Sequence, residues 1–253
     1  MIKELKIFLT AVMFFTRIPV SGKLEYSDRM LNQSLRYFPF IGVIVGSFGA
    51  GIILISLQVF NIYVSVLLGM IATIFITGAF HEDGFADFCD GYGGGYTKDR
   101  ILSIMKDSRL GTYGTIGLIL ILALKFFLIT GYNRSQIPYI LICAHTMSRF
   151  VPVILISTTQ YVRDDQTSKS KPLGTKTSII TILVGLVFGL GSFWFMEPIH
   201  AVFIIGILLV VFLFFRAYII RKTGGYTGDV LGALQQISEI VIYFSYLIVL
   251  KIL

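Results

Sequence analysis

Long apolar runs alternate with short polar segments along this sequence, and this alternation constrains the fold more than any other feature. A helix needs about 20 apolar residues to cross the hydrocarbon core of a bilayer. Seven runs meet this requirement, at residues 37–58, 62–80, 113–130, 137–157, 177–196, 199–220 and 230–253. Charged residues make up only 14% of the chain, against roughly a quarter in soluble domains. We therefore expect an all-α integral membrane protein, a bundle of about seven transmembrane helices.

The chain starts with an apolar segment, MIKELKIFLTAVMFF, in which lysines precede the apolar core. It has no small-residue cleavage site of the kind that ends a signal peptide. We expect a retained N-terminal helix that lies in the membrane interface. No polar stretch is long enough for a second, soluble domain, so residues 1–253 are predicted to form one polytopic transmembrane domain.

Basic residues are distributed unevenly between the two ends of the predicted bundle. One set of polar segments holds most of them: Lys3, Lys6, Arg17, Lys23, Arg29, Arg36, Lys98, Arg100, Lys106, Arg109, Arg163, Lys169, Lys171, Lys176, Arg216, Arg221 and Lys222. The opposite set holds only Arg134 and Lys251. Lysine and arginine accumulate on the cytoplasmic side, so the segments 77–114, 158–176 and 224–229 are predicted to be cytoplasmic. No basic stripe alternates with aromatic residues, so we expect no nucleic-acid partner.

One polar segment, Thr77–Gly114, stands out between apolar runs because it holds six of the 14 acidic residues. Asp83, Asp87 and Asp90 have i, i+4, i+7 spacing, which places three carboxylates within roughly 60° on one face of a helix. Adjacent carboxylates repel unless a cation lies among them. Oxygen ligands of this kind suit Mg²⁺ or Mn²⁺ and phosphate-bearing substrates. The alternative is a solvated acidic helix face, but ionisable groups at a membrane boundary are costly and are usually functional.

Further candidates lie near this cluster or in the same predicted end of the bundle. Lys106, Ser108 and Arg109 could hold a diphosphate, and Asp107 among them could be a further metal ligand. Three residues complete the set: His81, two residues before Asp83, and Arg149 and Asp229 in other segments. His81 is a general base, a phosphate contact or a partner of a ligand carboxylate. Arg149 is either a phosphate contact or part of a structural ion pair, because an arginine within a span is expensive to bury.

A family resemblance is carried by five strings that follow one another along nearly the whole chain. They are FTRIPV at 15–20, YFPFIG at 37–42, HEDGFADFCDG at 81–91, IMKDSRLGTYG at 104–114 and GGYTGDVLGA at 224–233. Together these strings resemble the cobalamin synthase family, the adenosylcobinamide-GDP ribazoletransferases. The order and coverage make the resemblance far more specific than any single motif.

The resemblance implies a Mg²⁺-dependent transferase of the cell inner membrane, with its active-site loops in the cytoplasm. Such an enzyme joins adenosylcobinamide-GDP to α-ribazole, or to its 5′-phosphate, and releases GMP. Its expected partners are these substrates, the lipid bilayer, and either a second copy or other enzymes of cobalamin synthesis. In this hypothesis, the metal ligands are Asp83, Asp87 and Asp90, with Asp107 as a fourth; the substrate ligands are Lys106, Ser108, Arg109, Arg149 and Asp229. The attacking hydroxyl would lose its proton to His81 or to one of the aspartates.

Two other functions fit parts of the sequence. The spacing of Asp83, Asp87 and Asp90 is also similar to part of the signature of CDP-alcohol phosphotransferases, which act on lipids. That signature has Ala-Arg after its first Asp-Gly pair, whereas Asp83-Gly84 is followed by Phe-Ala-Asp. A transporter with an acidic ion site is the second alternative, and it predicts polar groups deep in several spans.

Overall fold

A computed structural model describes residues 2–20, 27–163 and 177–252 of the chain. Within these ranges the chain is almost entirely helical, and its one β-bridge pairs single residues. The helices described are α1 (Ile2–Phe15), α2 (Asp28–Ser34), α3 (Phe38–Ser56), α4 (Ile62–Thr77), α5 (Phe80–Gly94), α6 (Lys98–Ile104), α7 (Thr112–Thr130), α8 (Ile137–Thr158), α9 (Ile179–Gly191), α10 (Pro198–Thr223) and α11 (Gly228–Ile252). A short 3₁₀ turn, Leu35–Tyr37, joins α2 to α3.

Five segments of the described residues are long and apolar enough to cross a membrane. They are the continuous stretch Asp28–Ser56, which contains α3, and the helices α7, α8, α10 and α11. This architecture confirms the predicted all-α integral membrane protein. The two remaining predicted spans correspond to α4 and α9, with 16 and 13 residues. By length the described chain thus has five crossings, or six if α4 and α5 form one broken span, where seven were predicted.

The predicted span at 62–80 is shorter than expected because the chain turns sharply after Thr77. Gly78 and Ala79 both have a left-handed backbone, with φ of 67° and 56°, and α5 leaves at 89° to α4. The backbone N–H of Arg17 donates to the Ile76 carbonyl at 2.7 Å, and its guanidinium fills the space that a Cβ on Gly78 would need. Glycine is therefore required there both by φ and by space.

Helix α8 lies at the centre of the bundle and α10 at its periphery. In its most apolar window α8 is 83% buried, whereas α10 is 17% buried and presents its side chains outward. Contact between α3 and α8 is close enough that a Cβ on Gly46 would lie 2.8 Å from the Ile142 Cα. Small residues four apart allow this approach between helices in lipid. The packing encloses the polar residues of α8 within the bundle.

The N-terminal helix α1 is not among the helices long and apolar enough to cross a membrane. It docks on the segment before α3, where Arg36 donates to Glu4 at 3.1 Å. Its location in the membrane interface stays a prediction. Part of the predicted basic loop at 158–176 lies outside the described residues, as do Lys23, Lys169, Lys171 and Lys176.

Candidate active site

Close packing between α5 and α11 brings the acidic helix against the start of the last span. A Cβ on Gly84 would lie 3.1 Å from the Asp229 Cα, and a Cβ on Gly232 would lie 3.2 Å from the His81 carbonyl oxygen. Both positions therefore favour glycine, because any larger residue would push the two helices apart. The contact sets Asp229 beside the α5 residues Asp83 and Asp87.

The three carboxylates Asp83, Asp87 and Asp229 form a cluster, which we call the acidic site. The predicted helix that carries Asp83 and Asp87 is confirmed as α5. Asp83 is exposed and Asp87 is half-buried, and the Asp229 side chain is 17% exposed. Helix α5 lies outside the five long spans. Burial, followed by the charges of Asp229 and Asp83, raises the pKa of Asp87 to about 7. The carboxylates of the acidic site therefore repel one another, and a cation among them would relieve this repulsion.

Asp90, predicted as the third metal ligand, fastens the start of α7, and its role as a metal ligand stays a prediction. Its carboxylate accepts hydrogen bonds from the backbone N–H of Gly111 at 2.7 Å and of Gly114 at 2.8 Å. A Cβ at either glycine would overlap this carboxylate. The two N–H groups belong to the first turn of α7 and have no partner within that helix. The motif Gly111-x-x-Gly114 is thus explained by a carboxylate of α5 that caps the N-terminus of α7.

The cluster Lys106–Arg109, predicted to hold a diphosphate, forms an exposed turn between α6 and α7. Lys106 and Ser108 are exposed, and Arg109 donates to the Asp107 carboxylate at 2.6 Å. These hydrogen bonds from Arg109 hold the pKa of Asp107 at about 2. Among the described residues, no hydrogen bond or ion pair joins Asp107 or Arg109 to the acidic site. Their predicted roles would require substrate to reach outward to this turn, and they stay predictions.

Arg163 is a member of the site that sequence reasoning missed. Its NH2 group donates to the Asp229 Oδ2 at 2.6 Å and to the Met105 carbonyl at 2.9 Å. Its charge also acts to lower the pKa of Asp87. In the sequence Arg163 is one of several basic residues in a polar loop, and no local pattern separates it from its neighbours.

The carboxylates of the acidic site have the donor chemistry for a divalent cation. In the part of the chain that the structure describes, no group of three His, Cys, Asp or Glu side chains is arranged to hold a metal ion. Nevertheless, Asp83, Asp87 and Asp229 offer hard oxygen ligands, and within the described residues Arg163 is the one cation paired with them. Such ligands suit Mg²⁺, which is bound through one or two carboxylates together with substrate phosphates and water. Asp229, predicted as a substrate ligand, thus joins the cluster, and the predicted metal-ligand roles of Asp90 and Asp107 stay predictions.

His81 and Arg149, predicted as base and phosphate contact, are both buried behind Phe38. The His81 ring stacks on Phe38 at 5.8 Å and meets Phe80 edge-on at 5.4 Å. Arg149 is 1% exposed and donates to the His145 carbonyl at 2.8 Å. Neither side chain has a hydrogen bond or ion pair with an aspartate in the described residues. Both roles stay predictions.

Polar side chains from four helices form a second cluster, which we call the buried network: Glu82, Lys125, His145, Gln235, Gln236 and Glu239. Lys125 Nζ lies 3.0 Å from the Glu239 carboxylate, and His145 Nε2 lies 3.5 Å from it. Gln236 donates to Glu82 at 3.1 Å and accepts from Lys125 at 3.1 Å. The buried network therefore links α5 to α7, α8 and α11. It also supplies the deep polar groups that the transporter alternative predicted, but as an internally paired set.

Comparisons with known proteins agree with the motifs. The family model described as cobalamin-5-phosphate synthase matches residues 7–247. An adenosylcobinamide-GDP ribazoletransferase from Vibrio cholerae serotype O1 is 42% identical over 98% of this chain and 95% of the relative. One from Shewanella baltica is 43% identical over 99% and 97%. No solved structure matches the chain.

These matches cover nearly the whole of both chains, so they include the acidic helix α5, the glycines that pack it and the segment that carries Asp229. They confirm the predicted family and, with it, a transferase of cobalamin biosynthesis. The chain belongs to the cobalamin-5-phosphate synthase family.

Proposed function

We propose that the acidic site catalyses the Mg²⁺-dependent transfer of adenosylcobinamide phosphate from adenosylcobinamide-GDP to α-ribazole or its 5′-phosphate. The observation that carries this proposal is the Gly84–Asp229 contact, which gathers three carboxylates and one arginine at a single end of the bundle. A diphosphate is bound well by such a set only when a divalent cation offsets the carboxylate charge. The relatives' name, adenosylcobinamide-GDP ribazoletransferase, supplies the substrate pair.

The reaction exchanges one phosphorus–oxygen bond for another. The hydroxyl oxygen of α-ribazole forms a bond to the phosphorus on the cobinamide side of the diphosphate. The bond from that phosphorus to the bridging oxygen breaks, and GMP leaves with the bridging oxygen. The hydroxyl proton passes to a carboxylate of the acidic site, because Asp83 is exposed there whereas His81 is only 2% exposed. Overall, the two substrates give the coupled product and GMP, with no change in oxidation state.

In this scheme some residues bind the metal ion and others hold the helices of the site in place. Asp83, Asp87 and Asp229 would hold Mg²⁺, which supplies charge neutralisation for the diphosphate and for the departing phosphate. Asp90 keeps the first turn of α7 against α5, and Gly84 keeps α11 close. The buried network fixes α5 from below through the Gln236–Glu82 hydrogen bond.

The placement of the site also supports a location and an orientation. The start of α11 and the segment after α8 meet at the acidic site, and Asp90 fastens the start of α7 to the same helix α5. The described basic residues Lys106, Arg109 and Arg163 lie in the segments next to these helix ends. By the positive-inside rule this end faces the cytoplasm, where nucleotide-activated substrates are made. We infer a multi-pass protein of the inner membrane with a cytoplasmic site.

A comparison of two substrate pairs tests this function. Detergent-purified protein with Mg²⁺ is supplied either with adenosylcobinamide-GDP and α-ribazole or with a CDP-alcohol and a lipid alcohol. We expect GMP and the coupled corrinoid from the first pair and no CMP from the second, both measured by liquid chromatography. Release of CMP from the second pair, with adenosylcobinamide-GDP left intact, would establish the phospholipid alternative instead.

A further inference from the structure

A backbone connection between two distant segments fixes the position of Arg163. Residues Tyr161 and Tyr226 form a parallel β-bridge, with the Val162 N–H donating to the Tyr226 carbonyl at 3.1 Å and the Tyr226 N–H donating to Gln160 at 3.0 Å. A Cβ on Gly225 would overlap the Gln160 carbonyl. The segment after α8 is therefore held against the segment before α11, and Arg163 is delivered to Asp229.

The guanidinium of Arg163 is only partly used by the protein. Its NH2 group holds Asp229 and the Met105 carbonyl, which ties the end of α6 to the start of α11. Its Nε is buried and has no hydrogen-bond partner among the described residues, although the side chain as a whole is 19% exposed. A buried donor without an acceptor is costly, so this N–H is poised for an oxygen atom from outside the described chain.

The other cations predicted to bind substrate lie elsewhere. Arg109 is 87% exposed and is paired with Asp107, and Arg149 is enclosed behind Phe38. Of the ion pairs within residues 2–20, 27–163 and 177–252, the one between Arg163 and Asp229 alone touches the acidic site. Arg163 is thus the cation that the described ion pairs place at the acidic site.

We propose that Arg163 is the diphosphate-binding residue of the acidic site, a role that rests on the proposed function. While its NH2 group stays on Asp229 and Met105, the guanidinium still has its Nε–H to donate to a phosphate oxygen. A lysine ammonium does not reproduce this fixed division of donors. Arg163 binds the non-bridging oxygens of the nucleoside diphosphate and neutralises charge on GMP as it leaves. Its bond to Asp229 holds the guanidinium in register with the carboxylates and keeps it from turning toward solvent.

Variants of Arg163 test this role against a matched arginine. Arg216 also fastens the segment after α8, with hydrogen bonds to the Thr158 carbonyl at 2.7 Å and the Thr159 hydroxyl at 3.1 Å. In the part of the chain that the structure describes, it has no hydrogen bond or ion pair with the acidic site. We expect Arg163→Gln to lower kcat/KM for adenosylcobinamide-GDP by about 100-fold. The KM for α-ribazole should change by less than about threefold, Arg163→Lys should recover activity only in part, and Arg216→Gln should stay within about threefold of wild type.

A binding measurement separates this role from folding and from the reaction itself. Inorganic pyrophosphate with Mg²⁺ should raise the Tm of the wild type and of Arg216→Gln, and leave Arg163→Gln unchanged. If Arg163→Gln does not fold, Arg163→Lys carries the same comparison, with a smaller shift expected. If both Arg163 variants show wild-type turnover and a wild-type rise in Tm with pyrophosphate, the inference about Arg163 is overturned while the proposed reaction stands. An Arg163-dependent pyrophosphate shift in a protein that forms no GMP would support the inference and overturn the proposed reaction.

Discussion

Replacement of Asp87 by asparagine is expected to reduce the rate of GMP formation by about 1,000-fold, close to 4 kcal/mol of transition-state stabilisation. Asp87 lies between the other two carboxylates of the acidic site, and the charges of Asp229 and Asp83 both act on it. Asparagine keeps the shape of the side chain and removes the negative charge that a divalent cation requires. The measurement is a steady-state assay of membrane-inserted protein at saturating Mg²⁺.

A second aspartate from the same acidic segment provides the control. Asp99 is exposed in the first turn of α6, so Asp99→Asn should stay within about twofold of wild type. Both variants should insert and survive detergent extraction like the wild type. Near-normal turnover by Asp87→Asn would remove the acidic site from the mechanism, whereas loss in both variants would indicate a general effect of charge on this segment.

Replacement of Glu239 by alanine is expected to destabilise the fold by about 3 kcal/mol, a fall in Tm of roughly 10 °C for a chain of this size. Glu239 is 1% exposed and is the carboxylate on which Lys125, His145 and Gln235 converge. Its removal leaves the Lys125 ammonium buried without a counter-charge. Thermal unfolding in detergent, followed by size-exclusion chromatography after heating, measures the change.

The double variant Lys125→Leu, Glu239→Leu separates the lost ion pair from lost packing. When both charges of a buried pair are replaced by apolar groups, neither remains uncompensated. The double variant should therefore be more stable than Glu239→Ala alone. Glu197→Ala, at an exposed acidic residue before α10, should leave the Tm within about 1 °C of wild type. A double variant that is less stable than Glu239→Ala would show that the buried network contributes through packing rather than charge.

The sequence predicted the helices and the family well because both depend on local or ordered patterns. The apolar runs at 113–130 and 137–157 match α7 and α8 within one residue at each end. The helical spacing of Asp83 and Asp87 correctly placed them on one helix. The predicted span at 62–80 is too long because of a backbone conformation: the left-handed Gly78 and Ala79 end α4 early. A hydropathy pattern does not reveal such a turn.

Partners across the bundle were beyond the reach of local patterns. Asp90 has the same helical spacing as its neighbours, yet its carboxylate is used by N–H groups of α7. Arg163 and Asp229 are 66 residues apart and meet because a β-bridge and the Gly84 contact hold their segments in place. The motif contains Gly84, but only the packing of α11 against α5 shows why a glycine is needed at that position.

Dependence of GMP formation on a divalent cation tests the central claim most directly. Purified wild-type protein is treated with chelator, exchanged into metal-free buffer, and given adenosylcobinamide-GDP and α-ribazole. If the acidic site neutralises the diphosphate through Mg²⁺, GMP formation is lost and returns when Mg²⁺ is added, to at least about 100-fold above the metal-free rate. GMP formation at the full rate without any divalent cation would contradict the account.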